Sequence, residues 1–504
     1  MLRIFGPPGT GKTTTLLNMV DDALEKGMHP HRIAFLAFTK KAATEAKERA
    51  AARFNLDPKK DLIYFRTLHS LALTMTDIRP EQVMQPENYK ELGNAIGITL
   101  NEAKVRESND IQDMVSASDP ILGLINLARL KKTNLRDEYN HSTIDADWNT
   151  VNFVSKSLRE YKDGLGLYDF TDMLQAFVDQ SDTYCPQFDL CFLDEAQDLS
   201  ALQWDIAHIL DENSKRMYAA GDDDQAIYRW AGADVDHFIN LPGGSETLSQ
   251  SYRVPSRVHA IAENVVRRIN RRFPKKYEPR GEPGNVTRIN TISSLDMSQG
   301  TWLILSQAGY QLNPVTTDLR SNGYLFTYRG HRSISEKISD AVNGWEQMRK
   351  GEEITGEVAR KIYSFMSIGN RIKRGFKKLP GLEDDQFVNL DTLIVNFGLL
   401  ATPEMIWSEA MDKLPELDRA YITALLRRGE KFNGVPRITA STIHGAKGGE
   451  AENVVLFTDI SPAADEEMRI NPDDMHRVFY VGVTRTKKNL FIVEPDDISR
   501  SYDL

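Results

Sequence analysis

Short runs of consecutive apolar residues recur along the chain, and most of them end at a glycine or a carboxylate. Such runs predict strands that are buried on both faces, as in a parallel sheet. The runs lie at 2–5, 32–38, 189–193, 216–220, 302–306, 453–458 and 489–493. Helical patterns, for example at 14–26 and 41–53, alternate with them. This alternation predicts an α/β fold.

Two α/β blocks can be drawn, and two long segments of helical or polar character interrupt them. We therefore expect two α/β domains with parallel sheets, each carrying a mainly helical insertion. The predicted first domain is 1–70 and 167–245 with the insertion 71–166, and the predicted second domain is 246–334 and 429–504 with the insertion 335–428.

The 504 residues have an ordinary globular composition, 41% hydrophobic and 27% charged, with a net charge of -10. No apolar stretch approaches the roughly 20 residues that cross a bilayer, so we expect a cytoplasmic protein. Cys185 and Cys191 lack CxxC partners, so the sequence supports neither a disulfide framework nor a zinc site. Each basic cluster is, by itself, at least as compatible with a solvated face as with nucleic-acid binding. The clusters lie at 267–268, 271–272, 275–276 and 371–378.

An octet near the start of the chain fits the pattern GxxxxGK[ST], follows a strand-like run and opens a helix. Its glycines let backbone N–H groups turn inward around phosphate oxygens. Lys12 is predicted to neutralise the β- and γ-phosphates, and the Thr13 hydroxyl to bind Mg²⁺. The alternative is a glycine-rich turn without nucleotide, which the complete octet disfavours. The predicted nucleotide-binding residues here are Gly6, Pro7, Pro8, Gly9, Thr10, Gly11, Lys12, Thr13 and Thr14.

Two carboxylates, Asp194 and Glu195, follow the apolar run 189–193. Open α/β sheets place their chemistry at the carboxyl ends of such strands. Asp194 is predicted to hold Mg²⁺ through water, and Glu195 to orient or deprotonate the water that attacks the γ-phosphate. An acidic turn after a strand is usually a solvated loop, but the upstream octet favours the catalytic interpretation.

Seven further motifs resemble, in type and order, those of the UvrD/Rep branch of superfamily 1 helicases. They lie at 38–43, 67–69, 169–172, 221–230, 248–253, 442–450 and 480–485. Each motif is weak alone, but their shared order makes coincidence very improbable. The resemblance implies two RecA-like P-loop domains and covers nearly the whole chain, from Gly6 to Arg485.

The resemblance assigns further residues to ATP. Gln225 would sense the γ-phosphate from the first domain, while Arg253 and Arg485 would reach it from the second domain and stabilise the transition state. Tyr252 would stack on adenine, and Glu450 would accept a hydrogen bond from the ribose. The arginines could equally form surface salt bridges, and Tyr252 and Glu450 could instead be structural.

The resemblance also assigns residues to DNA. Phe38, Tyr228 and Trp230 would stack on bases, a sequence-tolerant grip worth about 1–3 kcal/mol per base. Backbone contacts would come from neutral hydrogen-bonding side chains. Aromatic residues are more often part of a core, and a lone histidine is usually a satisfied polar residue. The residues predicted for the phosphodiester backbone are Thr39, His69, Thr442 and His444.

The function that the resemblance implies is an ATP- and Mg²⁺-dependent motor that moves 3′ to 5′ along single-stranded DNA and unwinds duplex. Closure of the two domains on ATP and opening after hydrolysis would advance the strand. The expected partners are single-stranded and forked DNA; we expect a monomer, with a recruiting protein partner left open. One alternative is an ATPase that clamps strands or displaces proteins without productive unwinding. A P-loop kinase or signalling NTPase is more distant, because the later motifs argue against it.

The chain departs from the family pattern in three ways. Relatives carry a glutamine-containing element upstream of the phosphate loop, whereas Met1 precedes Gly6 by five positions, so we expect a looser preference for ATP. Ala231 stands where the family commonly has an arginine, so the coupling of ATP to DNA is expected to differ. The insertion 335–428 is shorter than its counterpart, which makes strand separation less certain than translocation. Its basic run 371–378 is predicted to contact duplex.

Overall fold

Two α/β units make up the described part of the chain. The computed structural model describes residues 1–38, 40–100, 119–431 and 433–504. Unit 1 comprises Met1–Pro283 and Glu466–Thr484, and unit 2 comprises Gly284–Asp465 and Arg485–Leu504. The main sheet of each unit is parallel or nearly so, and helices connect its strands. The predicted α/β class with two parallel sheets is confirmed.

The strands of unit 1 are β1 Leu2–Phe5, β2 Ile33–Ala37, β3 Phe65–Thr67, β4 Phe188–Leu193, β5 Ser214–Gly221, β6 Ser245–Thr247, β7 Gln250–Pro255 and β8 Glu278–Arg280. Six of them form the central sheet in the order β3-β2-β4-β5-β1-β6, with every neighbouring pair parallel. Strands β7 and β8 form a separate parallel pair. Strand β2 is buried along its whole length, as expected for a strand covered on both faces.

Helices of unit 1 lie between these strands and in the predicted first insertion. They are α1 Lys12–Glu25, α2 Lys40–Phe54, α3 Leu68–Met75, α4 Pro86–Ile96, α5 Pro120–Lys131, α6 Leu135–Asn140, α7 Trp148–Leu165, α8 Phe170–Asp179, α9 Ser181–Tyr184, α10 Ala201–Glu212, α11 Val235–Asn240 and α12 Ser256–Val266. Polar caps start several of them: the Ser200 side chain accepts from Gln203 N, and the Asp169 side chain accepts from Asp172 N.

The carboxyl ends of three neighbouring strands lie level with one another in unit 1. Phe5 at the end of β1 pairs with Gly221 at the end of β5, and Leu193 at the end of β4 pairs with Ala219 of β5. Because these strands are parallel, the segments that follow them leave the sheet at the same edge. The sheet therefore brings together three loops that are far apart in the sequence.

The helices α4, α5 and α7 of unit 1 pack around an apolar cluster of their own. Leu122 of α5 and Val151, Val154 and Leu158 of α7 are all buried in it. The apolar residues of α7 recur every three or four positions, which places them on one face of the helix. This helical part of unit 1 thus has a core distinct from that of the central sheet.

The strands of unit 2 are β9 Asn285–Ile289, β10 Trp302–Ser306, β11 Phe326–Tyr328, β12 His331–Arg332, β13 Ile354–Thr355, β14 Phe387–Val388, β15 Ile438–Thr442, β16 Ala451–Phe457 and β17 Thr486–Val493. Seven of them form a sheet in the order β12-β11-β15-β10-β16-β17-β9. Its neighbours are parallel except for β11 and β12, which form an antiparallel edge. Strands β13 and β14 form a small antiparallel pair.

The helices of unit 2 share one apolar cluster with its sheet. Trp345 and Tyr363 of the helical segment belong to the same cluster as Ile304 and Ala440 of the sheet. This segment is therefore built onto the sheet rather than around a separate core. The helices are α13 Asn313–Ser321, α14 Glu336–Arg349, α15 Gly356–Ser364, α16 Leu390–Asn396, α17 Trp407–Ala410 and α18 Glu416–Arg428.

Two last helices, α19 Pro462–Ile470 and α20 Pro472–Val483, precede β17, and α20 belongs to unit 1. Asp473 at the start of α20 accepts hydrogen bonds from the backbone N–H groups of Asn270 and Arg271. Among all the helices that the structure describes, none combines the length and the apolar character needed to cross a membrane.

The basic run 371–378 is only partly exposed in unit 2. Lys377 Nζ donates to the carbonyls of Tyr363 (2.5 Å), Ser364 (3.2 Å) and Met366 (2.5 Å), at the C-terminus of α15. A cation there satisfies carbonyls that have no partner within the helix and complements the helix dipole. Lys377 is therefore a helix cap.

We expect Lys377→Met to destabilise unit 2 by about 1–3 kcal/mol, because three carbonyls lose a charged donor. The neighbouring Lys378 is exposed, so Lys378→Met should change stability by less than about 0.5 kcal/mol. Urea unfolding followed by tryptophan fluorescence measures both variants. Equal midpoints for the two variants would contradict the capping role.

Candidate nucleotide-binding site

The phosphate loop, residues 6–13, leaves β1 and enters α1. Gly6 N donates to Gly221 O at 2.9 Å, which ties the start of the loop to the end of β5. Within the loop, Thr10 Oγ1 donates to Pro7 O at 2.8 Å. Gly11 precedes α1 with a φ of 77°, a left-handed conformation that glycine adopts without steric cost. The loop thus ends at a helix N-terminus, where backbone N–H groups and the helix dipole favour a bound anion.

Strand β7 supports the other side of the phosphate loop. Tyr252 N donates to Gly9 O at 2.8 Å, and Ser251 Oγ donates to Pro8 O at 2.7 Å. Gly9 has a φ of 72°, and a Cβ atom built on it would lie 2.3 Å from Arg253 Cβ. Only glycine fits this backbone contact. The structure therefore brings Tyr252, whose side chain is exposed, and Arg253 beside the loop; their roles toward adenine and the γ-phosphate stay predictions.

Two acidic side chains meet the end of the phosphate loop. Lys12 Nζ lies 3.0 Å from Glu195 Oε2, and Thr13 Oγ1 donates to Asp194 Oδ2 at 2.6 Å. Burial acts to lower the pKa of Lys12, but the charges of Glu195 and Asp194 outweigh it and raise that pKa. Burial, followed by the charge of Glu195, raises the pKa of Asp194 to about 6. These four side chains lie together in unit 1, and their catalytic roles stay predictions.

Gln197 connects the acidic turn to the loop after β5. Its Nε2 donates to Glu195 Oε2 at 2.6 Å and to Asp198 Oδ2 at 3.1 Å. Its Oε1 accepts from Asp222 N at 2.9 Å. Asp222 Oδ2 in turn accepts from Gln225 Nε2 at 2.6 Å. The proposed water-orienting carboxylate and the proposed γ-phosphate sensor are therefore joined through two buried side chains.

The sequence reasoning missed three residues at this site. Ser251 lies inside the motif at 248–253 and Gln197 follows the acidic turn, but a single hydroxyl or amide at such a position carries no signal of its own. Lys275 was assigned to a basic cluster that could equally be a solvated face. Its side chain is only 1% exposed and lies among carboxylates, so the solvated interpretation is wrong for this residue.

A hydroxyl and a carboxylate oxygen meet where Mg²⁺ was predicted. The pair Thr13 and Asp194 offers oxygen ligands, which Mg²⁺ prefers. In the part of the chain that the structure describes, no group of three or more His, Cys, Asp or Glu side chains is arranged to hold a metal ion. The residues thus fit an ion that takes most of its ligands from water and phosphate.

Four residues predicted for the nucleotide or for DNA lie in unit 2. Arg485 is buried and its Nη1 donates to Gly449 O at 3.3 Å, while Glu450 forms an ion pair with Lys487. Thr442 ends β15, and its Oγ1 accepts from Gly445 N at 3.1 Å. His444, half-buried, follows directly. The functional roles of Arg485, Glu450, Thr442 and His444 remain predictions.

The residues predicted for DNA in unit 1 differ in exposure. The rings of Phe38 and Tyr228 are nearly parallel, at 12°, with centroids 6.0 Å apart. Tyr228 is buried, whereas Trp230 is 45% exposed. His69 is buried, and burial lowers its pKa to about 4, so its imidazole is neutral at pH 7. Thr39 lies outside the described residues.

Comparisons with known proteins identify two helicase domains in this chain. The UvrD/REP helicase N-terminal domain matches residues 1–243, and the UvrD-like helicase C-terminal domain matches residues 437–493. The first match contains the phosphate loop and the acidic turn, and the second contains the motifs at 442–450 and 480–485.

Relatives include an ATP-dependent DNA helicase PcrA of Leuconostoc citreum, 29% identical over 55% of this chain and 38% of the relative. A PcrA of Bacillus subtilis is 27% identical over 56% of this chain and 40% of the relative. The DNA helicase II of Rickettsia typhi is 23% identical, with 100% of this chain and 91% of the relative covered. The chain thus spans about two fifths of the length of the two PcrA proteins and aligns along most of the Rickettsia one.

We expect Gly9→Ala to abolish or strongly weaken nucleotide binding, because the added Cβ would overlap Arg253 Cβ and force the loop to shift. Gly27→Ala is the matched control: Gly27 also has a positive φ, 83°, but a Cβ there meets no atom within 4 Å. It should cost only about 1–2 kcal/mol of backbone strain and leave binding intact. Titration with a fluorescent nucleotide measures both, and unchanged affinity in Gly9→Ala would contradict the packing argument.

Proposed function

We propose that the chain, whose residues 1–243 and 437–493 match UvrD-type helicase domains, is an ATP-dependent DNA helicase. In this proposal it moves 3′ to 5′ along single-stranded DNA and couples hydrolysis to the unwinding of duplex, acting as a monomer on single-stranded and forked DNA. The observation that carries the proposal is the meeting of Lys12 and Thr13 with Asp194 and Glu195 at one edge of a parallel sheet. The two matched helicase domains support it.

The pairing of Lys12 with Glu195 suggests how a nucleotide starts the reaction. A bound γ-phosphate carries more negative charge than a carboxylate and competes for Lys12. Glu195 then loses its cation and, with a side chain 29% exposed, can accept a hydrogen bond from water. In the absence of nucleotide, the same pairing keeps the catalytic carboxylate occupied.

Hydrolysis in this proposal is a transfer of the γ-phosphoryl group to water. The water oxygen forms a bond to the γ-phosphorus while Glu195 accepts a proton from that water. The bond between the γ-phosphorus and the bridging oxygen of the leaving diphosphate breaks. Lys12 and Arg253 stabilise the charge on the γ-oxygens, and Gln225 senses their presence. Mg²⁺, when bound, neutralises charge on the β- and γ-phosphates, and Thr13 and Asp194 would hold it, Asp194 through water.

The aromatic residues after β2 and β5 are the proposed base contacts. Trp230 is exposed enough to stack on a base, and Phe38 covers the buried Tyr228. Tyr228 lies in the same loop as Gln225, which the γ-phosphate would contact. This short connection gives a route by which hydrolysis alters the grip on DNA.

We expect single-stranded DNA to stimulate ATP hydrolysis about tenfold or more, a coupling of about 1.4 kcal/mol. Glu195→Gln should lower kcat by about 10²-fold or more and still bind nucleotide, because it removes only the proton acceptor. Lys12→Ala should weaken binding itself, whereas Lys26→Ala, at an exposed lysine after α1, should not. A coupled ATPase assay with and without oligonucleotide measures these effects. Equal turnover in both conditions would refute the motor function.

We expect the protein to separate forked duplex that carries a 3′ single-stranded tail and not duplex that carries only a 5′ tail. Replacing the exposed Lys373, Arg374 and Lys378 with Ala should lower duplex affinity and reduce the salt dependence by about 0.9 for each lost phosphate contact. Lys377 is left in place because it caps α15. Strand-separation and binding assays at several salt concentrations measure this.

Displacement of streptavidin from the 5′ end of biotinylated single strands, without separation of forked duplex, would instead support the alternative of an ATPase that displaces proteins. An unchanged salt dependence in the triple variant would remove the duplex role of the basic run.

A further inference from the structure

One buried ammonium group lies among three buried carboxylates in the loop after β5. Lys275 Nζ is 3.0 Å from Asp222 Oδ1, 2.6 Å from Asp223 Oδ1 and 2.6 Å from Asp224 Oδ2. None of these four side chains is more than 1% exposed. Arg272 adds a second cation through two bonds to Asp224, of 2.8 and 2.7 Å. Buried charges of this number are tolerated only when they are paired and hydrogen-bonded.

The segment that carries Lys275 is held firmly in unit 1. The ring of Phe273 stacks on that of Phe5 at the end of β1, with centroids 4.0 Å apart and planes within 5°. Phe273 N donates to Asp223 Oδ2 at 2.7 Å, and Arg477 of α20 donates to Asp223 O at 2.9 Å. Lys275 therefore has a fixed position behind the strand that leads into the phosphate loop.

Asp222 is the carboxylate through which Lys275 reaches the site. One of its oxygens accepts from Lys275 and the other accepts from Gln225 Nε2 at 2.6 Å. Its backbone N–H binds Gln197, which also holds Glu195. A charged Asp222 is a strong acceptor, and the position of the Gln225 amide depends on it.

We propose that Lys275 is a positioning residue for ATP hydrolysis: it holds the Asp222 carboxylate in place, so that Asp222 orients Gln225 toward the γ-phosphate. The inference rests on the proposed function, because it assigns Gln225 to the nucleotide. Lys275 itself contacts neither the substrate nor the attacking water.

Electrostatics supports this role. Although burial acts to lower it, the three carboxylates raise the pKa of Lys275, so its charge persists at neutral pH. Burial and the charges of Asp224 and Asp222 raise the pKa of Asp223, whereas the charge of Lys275 lowers it. The net effect is a pKa of about 6. Without Lys275, these carboxylates would repel one another, and Asp222 would lose the partner that fixes its side chain.

The test removes the cation without leaving an excess of buried negative charge. Lys275→Met combined with Asp223→Asn preserves the charge balance, and an asparagine oxygen can still accept from Phe273 N. We expect kcat for ATP to fall about tenfold or more with KM changed by less than about threefold, because the lost contact acts on the transition state. In a Gln225→Ala background, the same pair of substitutions should lower kcat by less than about twofold, since the residue to be positioned is gone.

Lys162→Met is the matched control. Lys162 is another buried lysine of unit 1, between Asp169 (2.6 Å) and Asp172 (2.5 Å), and none of these residues belongs to the nucleotide site. It should lower the melting temperature yet leave kcat within about twofold of wild type. If the double variant does not fold, Asp222→Asn, which keeps volume and removes the charge, should show the same dependence on Gln225.

The outcomes separate the inference from the proposed function. If the wild-type protein hydrolyses ATP and the double variant has the same kcat, the positioning role alone is overturned. An equal loss of kcat with Gln225 present and in the Gln225→Ala background would also overturn it. A wild-type protein that hydrolyses no ATP would refute the proposed function instead.

Discussion

Strand β5 lies between β1 and β4 in parallel register, and the candidate site exists because of that pairing. Lys12 and Glu195 are 183 positions apart in the sequence and 3.0 Å apart in space. Each follows a different strand, and only the shared carboxyl edge of the sheet brings the two loops together. The hydrogen bond from Gly6 to Gly221 ties the first of these loops to the end of β5, the strand that lies between β1 and β4. A shift of one strand relative to its neighbour would separate every pair that the proposed chemistry requires.

Buried charge is the second feature on which the site depends. Lys12 and Lys275 each lie against carboxylates in largely buried surroundings. Such groups add little net stability, but loss of one partner leaves an uncompensated charge that costs about 3–5 kcal/mol. In the proposed mechanism, the two buried lysines of unit 1 act differently: Lys12 exchanges its carboxylate for a phosphate, whereas Lys275 keeps its carboxylates.

The two helical segments are attached to their sheets in different ways. The one in unit 1 has its own apolar cluster around Leu122 and Val154, whereas Trp345 of the one in unit 2 shares a cluster with Ile304 of the sheet. A segment with its own core can vary without exposing the sheet. The segment in unit 2 cannot, because its removal would uncover the apolar face on which it packs.

The sequence by itself determined the features that are local. The alternation of apolar runs and helical patterns predicted the α/β class, and the spacing of Gly6, Gly11 and Lys12 predicted a phosphate loop, because turn geometry and strand burial are set by neighbouring residues. The order of the motifs was enough to indicate the helicase family.

Only the tertiary structure decided which distant groups each side chain meets. In the sequence, Lys275 and Lys377 look like members of solvated basic clusters, yet one lies among three aspartates and the other caps a helix. A lysine looks the same in a sequence whether it is exposed or buried, because its surroundings come from segments tens to hundreds of positions away. For the same reason, the contact of Gly9 with Arg253 could not be predicted: the pattern GxxxxGK[ST] leaves that position free, and only the packing of β7 against the loop shows why a glycine stands there.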